Sequence, residues 1–185
     1  MPAPARTGRE QLVAAARDLL EEGGVDAVTM AAVADRVGVR SPSLYKHVRD
    51  RGGLLGLVVA ATVEDVTARL DALRDPDPGR SVLAQVEGMR GFAHERPHGF
   101  RLMFGVVPGV PSPDPSAAEA SLRPLLDAMT ALVGPEHALD GARLVTAWAN
   151  GFITMELTGA LRLGGDLDAA WAWGLRRIVA AVTAG

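Results

Sequence analysis

Residues 29–48 read Thr29-Met30-Ala31-Ala32-Val33-Ala34-Asp35-Arg36-Val37-Gly38-Val39-Arg40-Ser41-Pro42-Ser43-Leu44-Tyr45-Lys46-His47-Val48, and this stretch decides the fold. Thr29 is a residue type that caps helices, and Met30, Val33, Ala34 and Val37 behind it recur at three- and four-residue spacing, one face of a short helix. Gly38 ends that helix, because left-handed backbone geometry is cheap where there is no Cβ. Ser41-Pro42 starts another, an N-cap followed by proline at the first helical position, predicted to run from Ser41 to Val48. Val33, Val37, Val39 and Leu44 are set to pack between the two. A tight glycine turn between two short helices is helix-turn-helix spacing: one helix braces across phosphates and the next presents small and polar side chains to a major groove. Taken alone the spacing is moderately specific, since short packed helix pairs occur in many proteins.

Working outward, the pattern stays helical. The preceding helix opens on Thr7 and Glu10, a T-x-x-E capping box, carries Leu12, Val13, Ala16, Leu19 and Leu20 on one stripe, and stops at Gly23-Gly24. A long helix follows from about Asp50 to Leu73, ended by Asp75-Pro76-Asp77-Pro78-Gly79. Further helices are predicted over 80–95, 98–104, 117–133, 138–163 and 167–183, with a proline-rich loop from Pro108 to Ser116. Strand-type alternation is missing and no internal repeat is found. The expected fold is all-α: a three-helix helix-turn-helix domain over 1–51, joined by the long helix to a helical domain over 52–185.

Composition narrows the class. Cysteine is absent from the 185 residues, which removes disulfides, thiolate catalysis and thiolate metal sites together. No run of about eighteen apolar residues suggests a membrane span, and no apolar segment follows the basic N-terminus as a secretory signal would require. A cytoplasmic protein is expected. The net charge of −3 does not by itself point to nucleic acid, and its distribution says more. Between Arg36 and Arg51, five basic residues face the single acid Asp50, so this window carries +4 and the remainder −7. Such a window is either a phosphate-contacting surface or an ordinary solvated face.

One catalytic motif is present only in outline. His94-Glu95-Arg96-Pro97-His98 matches H-E-x-x-H, in which two histidines one helical turn apart bind zinc. Pro97 sits inside that turn, lacks an N–H and clashes with the carbonyl of Ala93, so the helix is expected to end here and separate the rings. No G-x-S-x-G, Walker A or dinucleotide fingerprint is found. The chain is read as no enzyme, with no metal and no cofactor.

Together, Thr29 to Ala34, Val37-Gly38-Val39 and Ser43 to Val48 closely resemble the DNA-binding region of the TetR family, with departures at Val48, where the family usually has Phe, and at Gly52-Gly53. The resemblance implies roles position by position. Thr29 would cap the second helix and face a phosphate. Ser41 and Ser43 would stand at the start of the recognition helix, with Arg40 just before it. Tyr45, Lys46 and His47 would form a phosphate clamp, with Arg51 standing where a lysine is common. Arg40, Ser43 and Lys46 are the candidates to read base edges. Thr29 and Ser41 are caps with or without DNA, Leu44 is core, and Tyr45 has boundary packing as its alternative.

In the second half, Trp148-Ala149-Asn150-Gly151-Phe152 with Met155, Glu156, Leu157 and Gly159 is similar to C-terminal domains of one TetR subgroup. This resemblance implies a homodimer through the last two helices and a cavity for a small apolar or aromatic effector. Met89, Phe92, Met103, Phe104, Trp148, Phe152 and Met155 are the candidate lining, with His94, Asn150 and Glu156 as orienting polar groups. For each apolar residue taken singly, core or dimer packing is the competing reading. The implied function is a repressor of operator DNA released by an effector. The alternatives are a helix-turn-helix activator, or a helical small-molecule-binding or scaffold protein without DNA binding.

Overall fold

The computed structural model describes residues 8–105, 108–112 and 114–184. Thr7 of the expected capping box lies outside these residues. Every regular element among them is helical. α1 spans Arg9–Ala27, α2 Met30–Val37, α3 Ser41–Leu44 and α4 Arg51–Ala72. α5 spans Pro78–Glu95, α6 Pro97–Phe104, α7 Pro115–Val133, α8 Ala138–Leu157 and α9 Leu167–Thr183.

Local chemistry sets most boundaries. α1 kinks where a stop was expected: Gly23 is non-helical and Gly24 has φ +72°, and a further turn then continues to Ala27. Gly38, at φ +78°, closes α2, with Val39 N–H donating to Ala34 O at 3.0 Å. The same six-to-one bond ends α8, from Ala160 N–H to Met155 O at 2.8 Å, with Gly159 at φ +64°. α8 was expected to reach residue 163; this left-handed glycine, followed by Gly164 and Gly165, also at positive φ, ends it at Leu157 instead. α3 is likewise shorter than the predicted Ser41–Val48, because the chain tightens beyond Leu44 and His47 N–H bonds the carbonyl only three residues back.

Packing divides the chain into two compact units: Met1–Glu64 with Arg96–Ala117, and Asp65–Glu95 with Ala118–Gly185. The division falls inside α4, and it puts α6 with the helix-turn-helix. The sequence-based division at 51/52 follows the function expected of each part and has α6 on the other side. In the first unit Leu12, Ala16, Leu20, Val33, Ala34, Leu44, Leu54, Leu55 and Val58 form the buried core, and Val48 joins it. α6 is tied to α1 by the Glu21 carboxylate, which accepts from His98 N–H at 3.1 Å and Gly99 N–H at 2.9 Å. These are free donors of the first turn of α6, and a carboxylate there is favoured by the helix dipole as well.

The second unit is held by α5, α8 and α9. Gly174 lets α9 approach the Trp148 ring of α8, since a Cβ there would lie 2.5 Å from Cζ2. Trp171, 1% exposed, stacks on Trp148 with centroids 4.9 Å apart and meets Phe152 edge-on at 5.2 Å.

Candidate nucleic-acid interface and ligand clefts

α2 begins at Thr29, whose Oγ1 accepts from Ala32 N–H at 3.1 Å, as expected of the cap. This uses a lone pair of Oγ1 and leaves its proton free, with backbone N–H groups at the same helix end. On and just before α3, Arg40 and Ser43 are exposed and Ser41 is half-buried. In the turn after it Tyr45 is 56% exposed, Lys46 is exposed and His47 is half-buried, while Leu44 is buried as core. These seven expected contact residues therefore fall on two adjacent helix starts and one turn, braced from behind by Val33, Ala34 and Leu44.

The cations of this region are in two states. Arg36 is locked to Glu22 of α1 through two bonds of 2.6 and 3.0 Å, and the Glu22 carboxyl is held below its ordinary range by this guanidinium. Arg49 pairs with Asp50 at 3.2 Å. Arg51 donates to Val28 O at 2.7 Å and to Val25 O at 2.6 Å at the end of α1, where Val25 O also accepts from Val28 N–H at 3.1 Å. Arg51 thus departs from its expected place in the phosphate clamp: its fork is spent on backbone. Arg40 and Lys46 are left, exposed and with no ion pair among the described residues. Asp50 has a second use that sequence reading missed. Its Oδ1 accepts from Gly53 N–H at 2.7 Å and caps α4 where two glycines weaken it, and this bond is the first cause of a carboxyl held below its usual range. The D-x-x-G spacing was the available signal.

None of the seven residues expected to line an effector cavity lines either of the two clefts described below. Met103 and Phe104 belong to the first unit, where Met103 packs on the core and the Phe104 ring lies 4.9 Å from Phe100. Met89, Phe92, Trp148, Phe152 and Met155 belong to the second. There Phe92 is buried under the Arg69 guanidinium, Trp148 and Phe152 pack on Trp171, and Met155 is 45% exposed. The reason is area: an aromatic side chain buries most by packing on another, and Trp171 supplies the surface.

Two clefts of the second unit are lined otherwise. One, of about 480 Å³, is charged: Arg90 of α5 is buried, bonds Glu156 Oε1 at 2.5 Å and Asp168 at 2.6 Å, and stacks over Trp171 at 5.1 Å. His94 Nε2 lies 3.1 Å from Glu156, so two of the three expected orienting groups do meet here. Arg90 holds the Glu156 carboxyl below its usual range. The other, of about 330 Å³, runs between α7 and α8 and includes Asn150. At the false zinc motif α5 ends at Glu95 and α6 starts at Pro97, as expected of the proline; His94 faces Glu156 and His98 lies beside Gly24.

A capped short helix, a left-handed glycine turn and a second helix start flanked by cations that have no ion pair among the described residues define a helix-turn-helix protein. Residues 12–57 match the family described as bacterial regulatory proteins, tetR family, and residues 82–178 the tetracyclin repressor-like C-terminal domain. The second match covers more than half of the chain. The chain belongs to the TetR family of transcription regulators. It is 27% identical to an uncharacterized HTH-type transcriptional regulator of Mycobacterium tuberculosis, over 85% of this chain and 74% of that protein. It is 32% identical to the class A tetracycline repressor protein of Escherichia coli, over 63% of this chain and 53% of the repressor. A solved structure of a protein with unknown function from Rhodococcus sp. RHA1 superposes with a TM-score of 0.82 at 25% identity, covering 97% of this chain and 98% of that one. Among the described residues no helix is long and apolar enough to cross a membrane.

Proposed function

We propose that this regulator is a repressor that binds a near-palindromic operator as a homodimer and releases it when a small molecule binds its C-terminal half. DNA is held by residues 1–51 and the effector and the dimer partner by 52–185, with the protein acting in the cytoplasm. The observation that carries the DNA reading is the sorting of cations: Arg36 and Arg51 are tied down, whereas Arg40 and Lys46, just before α3 and just after it, are exposed with no ion pair among the described residues. Phosphate contacts from Lys46, Tyr45, His47, Ser41 and the Thr29 end of α2 fix register, while Arg40 and Ser43 reach base edges. Repression is favoured over activation by the E. coli relative, which is named as a repressor. A scaffold without DNA binding is disfavoured, since it needs no free cations at that place.

The experiment is a salt series of DNA binding. Lys46→Ala is expected to weaken binding to specific and random DNA alike and to flatten the slope of log K against log salt by about one unit per protomer. Arg51→Ala is expected to leave the slope alone and to lower thermal stability, because Val28 O loses the guanidinium that it accepts from and Val25 O keeps only the Val28 N–H. Equal slopes for Lys46→Ala and the parent would sink the DNA reading.

A further inference from the structure

Lys46 is the single lysine of the chain: of the nineteen lysine and arginine residues, the other eighteen are arginine. Several of those arginines stand where a planar fork fits. Arg51 donates to two backbone carbonyls, Arg36 holds Glu22 through two bonds, and Arg90 lies buried between Glu156 and Asp168 over the Trp171 face. Lys46 has no such place. It is exposed in the turn after α3, with no ion pair among the described residues, inside the window that carries +4 on a chain of net charge −3. The two cations differ in chemistry as well as in shape. A guanidinium stays charged and takes no acyl group from ordinary acyl donors, whereas an ε-amine is a nucleophile that does. Acylation turns the ammonium into a neutral amide and removes its charge. Cysteine, whose thiol competes for the same donors, is absent. Lys46 is therefore the one side chain of this protein that can form a stable amide, and it lies where a charge matters most.

We propose that Lys46 is a modification site, and that its acylation by an acyl thioester or an acyl phosphate is a charge switch that lowers the affinity of this regulator for DNA. In the step, the lone pair of Nζ attacks the acyl carbonyl and an N–C bond forms. The bond from that carbon to sulfur or phosphate oxygen breaks, its electron pair leaves on the thiolate or phosphate, and the proton of the amine passes to solvent. Nothing is oxidised or reduced. Each protomer goes from −3 to −4, and its basic window from +4 to +3. One phosphate per protomer then keeps its counterion, so the loss is felt by every DNA sequence alike. The proposal rests on the DNA reading above, which gives Lys46 to a phosphate, and the experiment separates the two.

The test treats the full chain with acetyl phosphate in one arm and acetyl-coenzyme A in the other. Mass spectrometry maps the product, and binding to random-sequence duplex DNA is measured in a salt series. Modified protein is expected to yield an uncut tryptic peptide from Ser41 to Arg49, since trypsin passes over an acetylated lysine. Acetylation is expected to weaken binding at low salt by about tenfold or more, the size of a lost bond to a charged group, and to flatten the salt slope by about one unit per protomer. Lys46→Gln, without the charge from the start, is expected to share the flattened slope. The Lys46→Arg protein keeps a cation that takes no acyl group, so its DNA binding should be the same before and after treatment; this sets Lys46 apart from the N-terminal amine. Modification in one arm alone supports the proposal with that donor. Lys46 left unmodified in both arms overturns it, and so does a Lys46→Arg protein that loses affinity on treatment as the parent does. If acetylated protein binds DNA like the parent while Lys46→Ala is weakened, the switch falls and the DNA reading stands. If both bind like the parent, the two fall together.

Discussion

Arg90 and Glu156 illustrate what a buried charge demands of its neighbours. Both side chains are about nine-tenths buried, at 10% and 9% exposure, and their two-fold bond, with Asp168 and the Trp171 face, is what makes that burial tolerable. Removing one partner leaves the other desolvated. Glu156→Ala is expected to destabilise the protein by about 3 kcal/mol, near the lower end for a broken buried pair because Asp168 still faces Arg90. The double replacement Arg90→Met with Glu156→Leu is expected to cost far less, and urea unfolding of the three proteins decides the matter. The pH dependence has a definite sign. The Glu156 carboxyl titrates below its ordinary value, so its contribution is fully present above the unfolded carboxylate range, near pH 4–5, and is lost as pH falls through the lowered folded value. Unfolding curves from pH 6 down to pH 2 should fall more steeply for the parent than for the double variant.

At the scale of elements, α6 shows how a helix is recruited by a single side chain. It is only eight residues long and too short to be stable alone, yet the Glu21 carboxylate binds two N–H groups of its first turn and Phe100 is buried behind them. Glu21→Ala is expected to lower stability by about 1–2 kcal/mol, the range for bonds to a charged group discounted for partial exposure. Hydrogen exchange gives the sharper measurement. The His98 and Gly99 amides should exchange faster in the variant while amides inside α2 keep their protection. If His98 and Gly99 were no faster than in the parent, the carboxylate would not be what holds this helix end. In the sequence Glu21 is one acid among twenty-two, and nothing in the local pattern links it to residues seventy-seven and seventy-eight positions away.

On the scale of the whole molecule, the proposed repressor has each α3 supply one half-site, so it requires two copies with α3 helices roughly 34 Å apart or more. α8 and α9 expose Leu144, Met155 and Trp173, at 49, 45 and 60%, a set of large apolar side chains that a second copy is expected to cover. Analytical ultracentrifugation at micromolar concentration should report a dimer, and Leu144→Asp with Trp173→Asp a monomer; a monomeric parent would count against the half-site argument. An effector adds a linkage condition: whatever factor it takes from operator affinity, typically 1–3 kcal/mol, operator must take from effector affinity. Measuring one ligand with and without operator checks this, and equal values mean that ligand is no inducer. How much of this was legible beforehand follows the range of the forces. Thr29, Gly38 and the proline break at Pro97 act within one turn of their own backbone, and for that reason the all-helical fold and the helix-turn-helix could be read directly; the cap expected of Ser41 is not made, since Ser41 is itself the first residue of α3, behind Arg40, and no side chain caps that end. Charge distribution along the sequence indicated a basic window, but a sum over residues cannot tell a free cation from a paired one. Only the tertiary structure separates Arg40 and Lys46 from Arg36 and Arg51, since the partners of the latter lie on another helix. The same holds for Trp148 and Phe152, which any periodicity marks as apolar. Whether such a side chain lines a cavity or packs on Trp171 is decided by which helix faces it, and that is a property of the packed chain alone.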